Sequence, residues 1–170
     1  MGDWGHMDEL IRRIERAVEA LASQRTRVEA GEPWPLSARF GTEPEASWGP
    51  RETLAHVTEM LPFWLGEIER IVAGPTEPVP FGRVASNELR IGVIERDRSL
   101  PLRELFGRLE ADAARLTRRL GELTPAERER TGVHPTLGVL TVEQAVGRFV
   151  AGHLEEHVAQ IAAILETRGG

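Results

Sequence analysis

His153 and His157 stand four residues apart, so on a helix both imidazoles leave the same face, one turn from each other. They fall on an apolar stripe made by Val142, Val146, Phe149, Val150, Ile161 and Ile164. Two imidazoles set side by side among hydrocarbon are costly unless each stays neutral and finds a partner. A divalent cation is such a partner, because neutral imidazole nitrogen ligates zinc at about 2.0–2.1 Å. A pair is only half a site. His56 lies beside the apolar positions Leu54, Val57 and Leu61 of an earlier helical segment, which an antiparallel arrangement could bring opposite the pair. Three histidines with an open position describe a catalytic metal site rather than a closed structural one. Imidazole suits zinc, nickel, iron and copper alike, so the ligand types leave the metal open.

Other residues near this pattern have a chemical and a plainer reading. His153-Leu154-Glu155-Glu156-His157 matches the H-x-x-E-H pattern of inverted zinc peptidases. Those enzymes take a further carboxylate ligand well downstream, none is expected in the 13 residues after His157, and the peptidase reading is set aside. Glu156 is expected outside the ligand set or on the surface, and Glu155 in solvent. Glu59, one turn after His56, is a candidate base or an acceptor for a ligand imidazole; the plainer expectation is a surface Glu paired with an Arg. Glu59 and Glu156 are thus the candidate bases. His134, in a turn before Pro135, and His6, in a terminus expected to be mobile, are expected not to be ligands. Arg51 and Arg148 are candidates for holding substrate carboxylates, and Trp64 and Trp48 for walling a pocket.

The elements that must position these groups are helical. Leu10, Ile14, Ala17, Val18 and Leu21 recur at helical spacing and predict a first helix over 8–28. Pro33, Pro35, Gly41 and Pro44 break the next stretch into a loop, onto which Trp34, Phe40 and Trp48 are expected to pack down. Gly49 suits an N-cap, Pro50 the first helical position and Glu52 the third, where a carboxylate meets unpaired amides. That second helix is predicted to reach Val72 and to bend at Pro62. Residues 86–98 suggest a short helix. Leu102, Phe106, Leu109, Ala113, Leu116, Leu120 and Leu123 alternate steps of four and three, the spacing of a bundle seam, until Thr124-Pro125. Residues 132–138 read as turn. Thr141 and Gln144 form a capping-box pair that opens the last helix, predicted to run to about Thr167. No segment sustains strand alternation. Four long helices predict an all-α four-helix bundle, one domain over 1–170, with no internal repeat.

The 170-residue chain is 41% apolar and 28% charged, the profile of an ordinary soluble protein. Its formal charge of −6 argues against a broad nucleic-acid surface. No apolar run approaches the roughly 20 residues needed to span a bilayer, and Met1 to Met7 lack the features of a secretory signal, so a cytoplasmic protein is expected. There is no Lys for Schiff-base chemistry and no Cys for disulfides, thiolate ligands or a sulfur nucleophile. Sulfur chemistry would need a thiol cosubstrate.

Trp48-Gly49-Pro50-Arg51-Glu52-Thr53-Leu54-Ala55-His56 resembles the start of the second helix in the DinB-like superfamily, which includes the N-terminal domain of mycothiol-dependent maleylpyruvate isomerases. Leu137-Gly138-Val139-Leu140-Thr141, followed by Gly152-His153-Leu154-Glu155-Glu156-His157-Val158-Ala159-Gln160-Ile161, is similar to its last loop and helix. The resemblance spans nearly the whole chain and rests on one early His and a late His pair. It implies an up-down-down-up four-helix bundle, often a homodimer, binding a divalent metal such as zinc, nickel or iron through His56, His153 and His157. Members include transferases and isomerases that use low-molecular-weight thiols, and proposed metal-dependent hydrolases. The extra C-terminal domain of the maleylpyruvate isomerases is not expected after the last helix, and neither is their particular isomerisation. The leading expectation is a metal-dependent thiol S-transferase acting on a small molecule. A metal-dependent hydrolase and a non-enzymatic metal- or ligand-binding module are the alternatives.

Overall fold

The computed structural model describes residues 4–169; Met1–Asp3 of the N-terminal stretch read above lie outside them. The first amphipathic segment is helical but divided at Gln24 into α1 (Trp4–Ser23) and α2 (Arg25–Ala30). His6 belongs to α1, with Nδ1 2.6 Å from the Glu143 carboxylate. The connection over 31–49 does pack down, with Trp34 and Trp48 buried, and contains one 3-10 turn, Glu45–Ser47. Then α3 (Pro50–Ala73) starts on Gly49 and runs through Pro62.

Glu52 does not serve the amides of its own helix. It is fully buried, and its Oε1 accepts from Ser37 N at 2.8 Å and from Arg98 Nη1 at 3.2 Å. The carboxylate therefore ties the 31–49 connection to α3, where an ionised acceptor is worth more than at an exposed helix end.

The remaining elements are β1 (Val79–Pro80), α4 (Glu88–Asp97), α5 (Leu102–Glu122), α6 (Pro125–Arg128), β2 (Thr131–His134) and β3 (Gly138–Thr141). They are followed by α7 (Val142–Ala145), a π-helical segment (Val146–Gly152) and α8 (His153–Arg168). The last three form one rod, opened by the Thr141–Gln144 capping box.

Contacts along the four long rods fix their directions. His6 meets Glu143 and Arg13 meets Glu155, so α1 runs parallel to the last rod. Trp64 stacks on Phe149 while His56 faces His157, so α3 runs antiparallel to it. Arg51 reaches Leu100 O and Arg119 reaches Glu69, so α5 is parallel to α3. The bundle is up-down-down-up. Its core is built from Ile14, Leu21, Leu54, Leu61, Leu105, Leu109, Leu116, Val146, Leu154 and Ile161, none more than 1% exposed. Burying each such side chain contributes about 1.5–3 kcal/mol. No helix among the described residues is long and apolar enough to cross a membrane.

Two features depart from the sequence pattern. A small sheet forms where no strand was expected: β2 and β3 pair antiparallel across the expected turn, and β1, from the connection after α3, pairs parallel with β2. Alternation over two to four residues is too brief to register as a period. The hairpin turns through Gly138 at φ +74°, and Gly82 at φ +79° lets the chain pass so close to His134 that a Cβ there would lie 2.6 Å from the ring. The sheet thereby presses Phe81 and His134 onto the bundle. The second departure is the π-helical segment, whose wider turn shifts the buried positions by about one residue. Ala151 and Leu154 join the expected Val150 in the core, while Phe149 and His153, expected on the apolar stripe, are only half-buried.

Candidate metal centre

Helices α3 and α8 bring the three predicted histidines to one point. The Nε2 atom of His153 lies 2.9 Å from that of His56 and 3.1 Å from that of His157. His56 and His157 are buried at 3% and 2% exposure, while the His153 side chain keeps 26%. A fourth donor joins them. Glu45, on the 3-10 turn, puts Oε1 3.0 Å from His56 Nε2 and Oε2 3.5 Å from His153 Nε2. One donor atom from each of the four residues lies within 4.8 Å of all the others.

The proton positions follow from what flanks each ring. Gln160 spends its amide nitrogen on Glu45 O at 2.9 Å and Trp48 O at 3.3 Å, so its Oε1 must accept from His157 Nδ1 at 2.9 Å. His153 Nδ1 faces the Glu156 carboxylate at 3.3 Å. With both Nδ1 atoms protonated, the two Nε2 atoms present lone pairs to each other across 3.1 Å. His56 Nε2 lies 2.9 Å from one of them, and a cation among the three rings would take all three lone pairs at once. His56 Nδ1 is buried without a hydrogen-bond partner, its nearest acceptor being Glu59 Oε2 at 3.8 Å. The residues present fit a divalent metal ion.

Each imidazole thus has a polar group three residues further on: Glu59 after His56, Glu156 after His153, Gln160 after His157. Glu59 is not the surface residue of the plainer expectation. Its side chain is 7% exposed and takes Arg83 at 2.6 Å. Glu156 is 76% exposed, at the rim, and Glu155 pairs with Arg13 at 2.7 Å. Gln160 was not singled out from the sequence, although the same i+3 spacing that marks Glu59 was the available signal. Arg90, buried, bonds the Glu45 carboxylate and Ala85 O.

A cavity of about 710 Å³ opens beside the four donors. Trp64 and Arg148 line it; Arg51 does not. Arg51 is spent elsewhere, on Glu32, Arg98 O and Leu100 O, bracing the start of α3 against the turn before α5. One wall is a ladder of rings: Trp64 stacks on Phe149 at 4.4 Å, and Phe149 on His134 at 4.7 Å. His134 is therefore a buried wall residue at the end of β2 and no member of the donor cluster. Trp48 meets His56 edge-on at 5.7 Å instead of lining this cavity.

Burial, with the neighbouring positive groups, holds His56 well below the usual imidazole range, and burial with His153 lowers His157. Glu45 is pushed up by burial, but His153, His56 and Arg90 outweigh this and hold it at about 2. The unfolded chain binds protons at these histidines below about pH 6.5, and the fold refuses them, so ion-free stability rises with pH through that range. Glu45 contributes above the ordinary carboxylate range and loses that contribution only as pH falls through about 2. We expect the thermal midpoint of chelator-treated protein to drop between pH 7.5 and 5. An unchanged midpoint would mean the two rings are not neutral in the fold.

The DinB superfamily profile matches residues 6–161. YfiT from Bacillus subtilis, described as "a probable metal-dependent hydrolase with an unusual four-helix bundle topology", is 21% identical, with a TM-score of 0.69 over 96% of this chain and 87% of its own. An uncharacterised protein from Clostridium difficile 630 is 16% identical, with a TM-score of 0.64 over 96% of this chain and 97% of its own. These likenesses concern the fold. No curated protein matches the chain.

Proposed function

Because the chain belongs to the DinB superfamily and converges three imidazoles beside a cavity, we propose that it is a metal-dependent thiol S-transferase acting on a small electrophile. His56, His153 and His157 would hold the ion. Bound there, a divalent ion supplies Lewis acidity that lowers the pKa of a thiol or water reaching it.

The observation that favours a thiol over water is the state of the carboxylates. Glu45 is held by Arg90 and Glu59 by Arg83, and Glu156 stands in solvent beside His153. No unengaged buried carboxylate among the described residues of the cavity is poised as a strong base. A thiol, with an ordinary pKa near 8.5, needs far less help to ionise than water at about 15.7. Its S–H proton passes to solvent, the thiolate forms the new S–C bond, and the leaving group departs with its electron pair. The chain has no Cys of its own, so the thiol arrives as a cosubstrate. Arg148, exposed on the cavity wall, is the candidate for its carboxylate. The ring ladder excludes water from one side of the electrophile.

Hydrolysis is the second reading, favoured by the description given to YfiT. Zinc-loaded protein mixed with monochlorobimane and 2-mercaptoethanol separates the two. Metal-dependent release of chloride with fluorescence is expected. Turnover of 4-nitrophenyl acetate without thiol, and none of monochlorobimane with it, would replace transfer by hydrolysis.

A further inference from the structure

Beside the three histidines the structure puts a carboxylate, within 4.8 Å of a donor nitrogen of each ring. Glu45 Oε1 lies 3.0 Å from His56 Nε2, and its Oε2 is the oxygen nearer His153. We infer that Glu45 is a fourth, releasable metal ligand, which Arg90 takes over when an anionic substrate group enters from the cavity. This rests on the metal centre proposed above and adds how access to it is governed.

Three observations carry it. The first is that the same oxygen, Oε1, serves both the imidazole and Arg90 Nη2, so the carboxylate already stands between two holders. Arg90 is itself fixed: its side chain is 6% exposed, Nη1 donates to Ala85 O at 2.8 Å, and the guanidinium lies over the Trp48 ring at 5.3 Å. It can keep the carboxylate without moving.

The second is the mounting of Glu45. Its backbone is pinned to α8 through Gln160, whose amide donates to Glu45 O and Trp48 O. Its side chain is 27% exposed, on a single 3-10 turn rather than inside a packed helix. Rotation about its own side-chain bonds therefore needs no backbone movement. The rings of His56 and His157, at 3% and 2% exposure, have no such freedom.

The third is placement. Glu45, Arg90, His56 and His153 all line the cavity, so a ligand approaching the donors from there meets the carboxylate. Charge then selects what can replace it. Exchange of a carboxylate for a thiolate or another anion leaves the charge around the ion unchanged, while a neutral replacement leaves one positive charge uncompensated in a partly desolvated site.

The test compares cobalt(II)-loaded wild type with Glu45→Ala, and with Glu45→Asp, which keeps the charge beside Arg90 but withdraws the carboxylate by one methylene. Both variants are expected to change the visible d–d spectrum and to bind cobalt at least about tenfold more weakly. Both should also saturate with 2-mercaptoethanol, read by its sulfur-to-cobalt charge-transfer band, at about tenfold lower concentration, since no carboxylate competes. Matching spectra, affinities and thiol saturation in loaded wild type and variants would overturn the role of Glu45 while leaving the three-histidine centre standing. Failure of wild type itself to bind cobalt would overturn both.

Discussion

His157→Ala is expected to abolish tight metal binding and, with it, the stabilisation that metal gives the fold. The ring is 2% exposed, and its Nε2 and that of His153 lie 3.1 Å apart with both lone pairs turned inward. Removing it leaves two imidazoles and one carboxylate, the latter already engaged by Arg90. Partners outside the ligand set are worth about 10–100-fold in metal affinity, and loss of a ligand should exceed that. An ion present at about 100 times its dissociation constant stabilises by about 2.7 kcal/mol, which in a chain of this size raises Tm by roughly 5–10 °C. The variant should show no such rise with zinc, and protein purified without nickel chromatography should carry no metal by elemental analysis. The variant also empties a buried site and leaves Gln160 Oε1 without its donor, so its ion-free form should itself be less stable by about 1–3 kcal/mol, and the zinc-induced rise of each protein over its own ion-free midpoint is the quantity compared. An equal zinc-induced rise in wild type and His157→Ala would remove the metal centre altogether.

How much of this was legible beforehand depended on whether a residue belonged to a period. His153 and His157 are visible because one turn of helix separates them and apolar positions flank them above and below. Their meeting with His56 is a contact across about a hundred residues, and the resemblance of residues 48–56 and 137–161 to the superfamily supplied what spacing alone could not. Glu45 had no such cue. It follows Pro44 in an aperiodic connection, and its carboxylate reaches the cluster only because Gln160 and Arg90, more than forty residues away or further, hold the turn in place. Arg51 misled for the converse reason: in an unaligned sequence, a guanidinium near a ligand histidine looks the same whether it faces the cavity or braces a loop. The π-helical segment escaped notice because a single wider turn leaves the apolar pattern almost intact while moving Phe149 and His153 from core to cavity wall. The strands were hidden by their brevity.

Gln160 offers the sharpest separation of geometry from ligation, because it does not line the cavity beside the donors and would touch no ion. Its Oε1 fixes the proton of His157 on Nδ1, and its amide nitrogen holds the Glu45 turn through two carbonyls. Gln160→Leu removes both functions at similar volume. Metal affinity is expected to fall about 10–100-fold, because His157 is then free to carry its proton on the nitrogen that should face the ion. Stability should fall by about 1–3 kcal/mol from the polar groups left unpaired. Gln160→Glu keeps an acceptor for His157 Nδ1 but sets a carboxylate against Glu45 O and Trp48 O. It should therefore lose stability while binding zinc within about tenfold of wild type, since a charged acceptor makes the ring a better ligand. Zinc titration against a competing chromophoric chelator reads the affinities, and thermal melting in chelator reads the stabilities. If Gln160→Leu binds zinc as wild type does, the tautomer of His157 is not what prepares the site. If Gln160→Glu loses affinity as far as Gln160→Leu, the anchoring of the Glu45 turn, rather than the proton on His157, is what Gln160 contributes.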